Sequence, residues 1–172
     1  MKRWLRRAAI AAAIVLVAGV LATHRTAWAL VRYAGSPGVL AVPVRGVQRP
    51  ALRSSFGEPR SGHRTHAGID IFARHGTPVV AAAEGVVVRI GTTDRLGGNT
   101  VWVAGKPSTL YYYAHLAGFR PGLRVGEHVE AGDLIGRVGN TGNARTTPPH
   151  LHFGMYPAAR AFWPVDPTPL LK

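Results

Sequence analysis

The sequence after Ala29 consists of short apolar runs separated by glycine and proline, and this punctuation limits the fold more than any other feature. Gly occurs 21 times and Pro 13 times in the chain. No segment after Ala29 keeps a period of 3.6 residues, whereas runs of about five residues between turn residues are typical of β-strands. The predicted strands are 68–72, 78–83, 85–90, 100–104, 110–116, 134–138 and 151–156. We therefore predict an all-β fold, a small antiparallel β-sheet sandwich or barrel.

The composition fits one folded domain and excludes several kinds of site. Of the 172 residues, 47% are hydrophobic and 17% are charged, which provides enough apolar surface for a core. The chain has no Cys. Disulfide scaffolds, cysteine-ligated zinc, iron–sulfur clusters and cysteine nucleophiles are therefore excluded. Any metal ion would have to be bound by histidine and carboxylate groups.

The first 29 residues have the layout of an export signal. A basic cluster precedes residues 8–23, which carry no charge; it comprises Lys2, Arg3, Arg6 and Arg7. The uncharged run lies between the length of a signal h-region, about 7 to 15 residues, and that of a spanning helix, about 20. Ala27-Trp28-Ala29 fits the small-x-small pattern of a cleavage site. We predict export to the cell envelope, periplasmic or secreted, with this apolar helix either cleaved as a signal peptide or kept as a membrane anchor.

The rest of the chain divides where its composition changes. Residues 30–51 contain six Gly or Pro residues, which predicts a linker with one short strand at 39–44. Residues 52–172 carry the recurring strand signals and form the predicted domain.

The chain is strongly basic, with 21 Lys and Arg against 8 Asp and Glu and a formal net charge of +13. Such a surplus suits nucleic acid, anionic lipid or an anionic cell-wall polymer. Predicted export argues against nucleic acid and leaves membrane contact to the N-terminal segment. A solvated basic surface without a dedicated partner is the alternative.

Four histidines occur in patterns that suit a metal centre. His66 and Asp70 are four residues apart, and His150 and His152 are two apart, so each pair shares one side of an extended segment. His115 belongs to a third predicted strand. Zinc in hydrolytic sites takes three His or carboxylate ligands and keeps a fourth position open. Two of these histidines and Asp70 would satisfy that requirement, with one or two unligated imidazoles beside the ion.

Strand alternation also predicts which side chains face the core. Leu151 and Phe153 alternate with the histidine pair and are expected in the core. Tyr111 and Tyr113 share the parity of His115, so they either line a groove or belong to the core. Tyr112 has the opposite parity and is expected in the core.

Together these segments resemble the lysostaphin/LytM-type zinc metallopeptidases of family M23, which cut the peptide cross-links of bacterial peptidoglycan. The resemblance covers roughly residues 56–167. The segments that carry it are Ser55-Phe56-Gly57, His66-Ala67-Gly68-Ile69-Asp70-Ile71, Tyr113-Ala114-His115-Leu116, residues 136–142, His150-Leu151-His152-Phe153 and Pro164-Val165-Asp166-Pro167.

The resemblance implies one Zn²⁺ bound by His66, Asp70 and His152, with His115 and His150 as catalytic imidazoles that do not bind the metal. It also implies a small antiparallel β domain whose site lies in a groove above the sheet. The expected function is an exported zinc-dependent endopeptidase acting on peptidoglycan stem peptides or cross-links. The alternative is a non-catalytic wall-binding or hydrolase-activating module of the same fold. Such modules typically lack metal-binding or catalytic residues, and all five are present here.

The sequence departs from the common family pattern at two places. Thr147-Pro148-Pro149 stands where many members have a glycine, and Gly154 stands where many have an acidic residue. Neither change removes a predicted ligand. Both are expected to alter the shape of the groove and the cross-link that fits it.

Overall fold

The computed structural model describes residues 19–20, 23–24, 26–32 and 39–172. The basic cluster and most of the uncharged run 8–23 lie outside these residues. Within the described part of the chain, no helix is long and apolar enough to cross a membrane.

The described residues form a mostly β domain with four short 3₁₀ turns. The strands are β1 (Pro59–Arg60), β2 (Arg64–Thr65), β3 (Ile69–Phe72), β4 (Pro78–Val80), β5 (Gly85–Asp94), β6 (Gly98–Gly105), β7 (Thr109–Ala114), β8 (Leu116–Phe119), β9 (His128–Val129), β10 (Leu134–Val138) and β11 (His150–Pro157). The 3₁₀ turns are Arg49–Ala51, Gly142–Ala144, Ala158–Arg160 and Thr168–Leu170. Every predicted run contains an observed strand, and the run 110–116 is divided at His115. The all-β prediction is confirmed, whereas an N-terminal helix over residues 8–23 stays a prediction.

The strands form three antiparallel sheets. The large sheet has six strands in the order β3-β11-β7-β6-β5-β9, and a second sheet has the order β4-β10-β8. β1 and β2 pair as a short hairpin. Because β11 lies between β3 and β7, the segments that carry Asp70, the histidine pair and the tyrosine run are adjacent strands.

The core fills the space between the two larger sheets. The inner face of the six-stranded sheet contributes Tyr111, Tyr113 and Phe153, which are fully buried. Val79 and Ile135 from the three-stranded sheet belong to the same cluster. Burial of an aromatic or aliphatic side chain contributes about 1.5–3 kcal/mol, so this layer fixes which face of the large sheet points outward. The outer face carries the polar residues of β3 and β11.

The segment before β1 packs on the domain. Leu40 and Val44 are buried in the core cluster and form isolated bridges to Leu171 and Val79, respectively. The predicted strand at 39–44 is therefore wrong, because Pro43 between these bridges has no N–H to donate to a ladder. The chain divisions at 29/30 and 51/52 stay predictions.

A helical stretch over residues 26–32 also contacts the domain. Its Ala29 is buried with Ala104 of β6. The Ser108 hydroxyl donates a hydrogen bond of 2.8 Å to the Leu30 carbonyl oxygen.

Candidate active site

Gly68 allows the segment between β2 and β3 to lie directly against β11. A Cβ at Gly68 would be 2.4 Å from the Phe153 carbonyl oxygen and 3.0 Å from Cε1 of His152. Only glycine fits this close approach. His66, just before Gly68, and Asp70, on β3, are thereby brought to His152.

Three donor atoms converge at this point. His66 Nε2 lies 2.8 Å from His152 Nδ1 and 3.0 Å from Asp70 Oδ1. His152 Nδ1 lies 3.2 Å from the same carboxylate oxygen. In a tetrahedral zinc site, ligand atoms about 2.0–2.2 Å from the ion are about 3.3 Å from one another. The chemistry and spacing of the three donors therefore fit a zinc ion, and these residues together form a possible metal-binding group.

Two further imidazoles lie beside these donors: His150 Nε2 is 3.8 Å from Asp70 Oδ1, and the His115 ring is 6.0 Å from the His152 ring between centroids. His115 Nδ1 donates to the Thr141 carbonyl oxygen at 2.9 Å, and His150 Nδ1 donates to the Pro148 carbonyl oxygen at 2.9 Å. These bonds put the proton of each neutral ring on Nδ1 and leave the lone pair on Nε2. The two rings are 4.9 Å apart between centroids. Pro148, one of the residues that depart from the family pattern, thus orients His150 through its carbonyl group.

The backbone at His115 determines the direction of that ring. His115 has a φ of 62°, in the left-handed region, between β7 and β8. Its N–H donates to the Gly97 carbonyl oxygen at 2.8 Å. This conformation interrupts strand alternation, so His115 faces the outer side although Tyr113, two residues earlier, faces the core.

The structure decides between the two predicted roles of Tyr111 and Tyr113, and it corrects the expectation for Tyr112. Tyr111 and Tyr113 are buried in the core, and the Tyr113 hydroxyl accepts a hydrogen bond from the Ala82 N–H at 2.9 Å. Tyr112 lines the outer cavity. The expectation that Tyr112 belongs to the core was wrong because it assumed one regular strand through His115.

Arg60 of β1 is a site residue that the sequence analysis missed. Its Nη2 donates to Asp70 Oδ2 at 2.8 Å, which leaves Asp70 Oδ1 directed at the two histidines. His66 Nδ1 lies 2.7 Å from Arg60 Nη2 and 2.7 Å from the Ser55 carbonyl oxygen. Of these two neighbours, only the Ser55 carbonyl oxygen can accept a proton from His66 Nδ1. The Arg60 guanidinium therefore bonds to the Asp70 carboxylate. No sequence signal indicated this contact, since the hairpin of β1 and β2 alone brings Arg60 to Asp70.

Electrostatics at the site favour the protonation states that a metal centre needs. Burial alone would raise the pKa of Asp70, but the close contacts of its carboxylate with the His152 and His66 imidazoles outweigh burial and hold that pKa well below its usual range. Burial lowers the pKa of His152, although Asp70 opposes the change. Burial also lowers the pKa of His115 to about 4, and the neighbouring His150 and His152 add to the effect. Asp70 is thus ionised and His115 is neutral at pH 7.

The five predicted site residues line one cavity of about 420 Å³ on the outer face of the six-stranded sheet. Arg60 and Arg64 stand at the side of the β1–β2 hairpin. Residues 142–147, which include the 3₁₀ turn Gly142–Ala144, contribute Asn143, Ala144 and Thr147 to another side. The aromatic residues in the lining are Trp102, Tyr112 and Tyr156. The sequence analysis did not identify Trp102 or Tyr156 as site residues.

A cluster of two histidines and a carboxylate lies on the outer face of the antiparallel sheet, with two further imidazoles beside it. This arrangement is typical of a metal-dependent hydrolase. Residues 64–167 match peptidase family M23. The chain therefore belongs to peptidase family M23, and the resemblance drawn from its sequence is confirmed.

Known relatives support the same family. The L-Ala–D-Glu endopeptidase of Bacillus subtilis (strain 168) is 42% identical over 130 residues, which cover 71% of this chain and 40% of the relative. The glycyl-glycine endopeptidase ALE-1 of Staphylococcus capitis is 38% identical over 109 residues, covering 62% of this chain and 29% of the relative. The chain thus spans less than half the length of these two relatives.

The fold is also found in a solved structure of the LytM type. The catalytic domain of lysostaphin from Staphylococcus simulans superposes with a TM-score of 0.59 at 30% identity. The match covers 70% of this chain and 92% of that domain. The predicted LytM-type β domain is therefore confirmed.

Proposed function

We propose that this chain is an exported zinc endopeptidase that hydrolyses peptide bonds in the stem peptides or cross-links of peptidoglycan. The observation that carries the proposal is the convergence of His66 Nε2, Asp70 Oδ1 and His152 Nδ1 beside two imidazoles that present Nε2. In the proposed organisation, residues 1–29 direct export, residues 30–51 form a linker, and residues 52–172 form the peptidase domain. The family and the endopeptidase activity of the relatives support this function.

His66, Asp70 and His152 would hold the zinc ion. Zinc in such a site acts as a Lewis acid toward a carbonyl oxygen and lowers the pKa of a water molecule toward about 7. Arg60 keeps Asp70 oriented by occupying its Oδ2. The Ser55 carbonyl group fixes the His66 tautomer in which Nε2 is free to bind.

His115 and His150 would transfer protons. Each neutral ring has its lone pair on Nε2 and its Nδ1–H bonded to a backbone carbonyl group. One ring can accept a proton from the attacking water, while the other, when protonated, donates to the oxygen that gains negative charge. Both rings are buried, with 7% of His115 and 5% of His150 exposed, which keeps them at fixed positions.

The substrate class follows from the cavity and the relatives. The cationic side formed by Arg60 and Arg64 suits the carboxylates of a wall peptide. The Bacillus subtilis relative is named for a bond that contains D-Glu, and D-amino acids are characteristic of wall peptides. Digestion of purified peptidoglycan, with the released fragments identified by mass spectrometry, tests the function. Zinc-loaded protein that binds the wall but releases no fragment would instead identify a non-catalytic wall-binding or hydrolase-activating module.

Activity is expected to fall as pH decreases from about 7 toward about 4. Free histidine titrates near 6.5, and burial lowers the pKa of His115 to about 4. A group with a lowered pKa stays neutral over more of the acidic range, so His115 loses its lone pair only near that pH. Rates should be measured with bound zinc determined at each pH. A rate that stays constant from about pH 7 to about pH 3, one pH unit below the pKa of His115, would contradict proton transfer by His115.

The full-length chain is expected in the cell envelope, because the basic cluster and the uncharged run 8–23 favour membrane insertion. Fractionation of bacteria that produce the chain checks this, with a variant lacking residues 2–29 as the cytosolic control. A mature protein that begins at Leu30 would indicate cleavage, and a full-length membrane-bound protein would indicate anchoring. Recovery of the full-length chain from the cytosol alone would refute export.

A further inference from the structure

Gly154 leaves room for the ring of Tyr156, which lines one side of the cavity. On β11, His150, His152, Gly154 and Tyr156 alternate along the outer face of the sheet. A Cβ at Gly154 would lie 2.8 Å from Tyr156 Cε2, 3.2 Å from its hydroxyl oxygen and 3.3 Å from the Ala67 carbonyl oxygen. The ring of Tyr156 therefore covers Gly154.

Tyr156 belongs to a cluster of three rings beside the metal ligands. Trp102 lies 4.3 Å from Tyr112 and 5.5 Å from Tyr156 between ring centroids. Trp102 and Tyr112 are register partners on β6 and β7, and Tyr112 faces Gly154 on β11. All three rings are partly buried and line the cavity. We call Trp102, Tyr112 and Tyr156 the aromatic floor.

The aromatic floor suits an uncharged ring. Burial raises the pKa of Tyr112 and of Tyr156, so both phenols are neutral and can donate or accept hydrogen bonds. Aromatic faces bind apolar C–H surface, and the phenol hydroxyls suit the polar edge of a sugar. Asp94 lines the same cavity and would repel a carboxylate, whereas Arg60 would attract one on the hairpin side. The charged part of a wall peptide is thus directed away from this floor.

The distance between the aromatic floor and the proposed metal ligands limits which ring of a bound substrate could lie on the floor. Tyr112 lies 5.8 Å from the His152 ring and 4.3 Å from Trp102. An extended peptide advances about 3.3 Å per residue. A ring stacked on Tyr112 is therefore about two residues of chain from a bond held at His152. In peptidoglycan, the uncharged ring joined to the stem peptide is that of an N-acetylated amino sugar.

We propose that the aromatic floor binds the N-acetylhexosamine ring that carries the stem peptide, so that the chain cleaves about two residues from the sugar. This inference rests on the proposed function. A stem peptide attached to the sugar would therefore be cut faster than the same peptide without the sugar.

The test compares one pentapeptide stem in two forms, attached to N-acetylmuramic acid and capped with an acetyl group. For wild-type protein, kcat/KM is expected to be roughly tenfold higher for the sugar-bearing form, the upper range for one aromatic contact. Tyr156→Ala is expected to bring that ratio to within about twofold of one. Tyr156→Leu is a second variant that keeps more of the packing. Trp163→Ala is the matched control, because Trp163 is 74% exposed and does not line the cavity.

Equal kcat/KM for the two forms with wild-type protein would overturn the proposal. A proportional loss of both rates in Tyr156→Ala and Tyr156→Leu would also overturn it, since the floor would then bind the peptide. Calorimetric titration of zinc-free protein with the same two compounds separates this proposal from the proposed function. A binding preference for the sugar-bearing form that Tyr156→Ala abolishes would support the floor even if neither compound were hydrolysed.

Discussion

Purified His66→Ala, Asp70→Ala and His152→Ala proteins are expected to contain well below one zinc ion per chain and to lose peptidase activity. Each change removes one of three donor atoms that lie 2.8–3.2 Å from one another. Zinc is measured by elemental analysis after gel filtration. His75→Ala is the control, because His75 is exposed and does not line the cavity.

The same zinc measurement tests which of His150 and His152 binds the metal. His152 Nδ1 lies 2.8 Å from His66 Nε2, whereas His150 Nε2 lies 3.8 Å from Asp70 Oδ1. Loss of zinc from His150→Ala with retention in His152→Ala would exchange the two roles. If wild-type protein binds no zinc when it is supplied, the metallopeptidase proposal fails.

Replacing His115 or His150 is expected to lower the rate of peptide hydrolysis by roughly 100-fold or more, while the zinc content stays near one ion per chain. That loss is the usual scale for a general acid or base. His115→Asn is the preferred variant at its position, because asparagine tolerates the left-handed backbone better than alanine. His150→Ala is its partner experiment. Far-UV circular dichroism verifies that both variants fold.

The outcome must separate proton transfer from metal binding. His115→Asn or His150→Ala protein that loses zinc together with activity would place the missing ring among the ligands. Zinc-loaded protein that keeps the wild-type rate would show that the ring takes no part in the reaction. Rates are therefore compared at equal zinc content and at saturating substrate.

The sequence predicted the strands and the pairs of side chains that converge at the cavity because both depend on local patterns. Leu151 and Phe153 alternate with His150 and His152, and both are fully buried as predicted. The spacing of His66 and Asp70 around Gly68 is equally local, since the glycine both extends the segment and lets it approach β11.

The failures came from contacts between distant segments and from one irregular residue. Arg60 meets Asp70 only because β1 and β2 form a hairpin. Tyr156 meets Trp102 across two strand pairings, which no spacing in the sequence reveals. Tyr112 was assigned to the core because His115 was taken as part of one regular strand, whereas the left-handed φ of His115 breaks the alternation at the end of β7.

His115, with its left-handed backbone, lowers the stability of the fold but supplies an imidazole to the cavity. A non-glycine residue held in this region costs about 1–3 kcal/mol, and glycine at position 115 would relieve the strain. Glycine would also remove the imidazole that faces the cavity. Selection for a more stable fold and selection for a faster hydrolase would therefore favour different residues at position 115, and a thermostabilised variant of this domain that keeps His115 must gain its stability elsewhere.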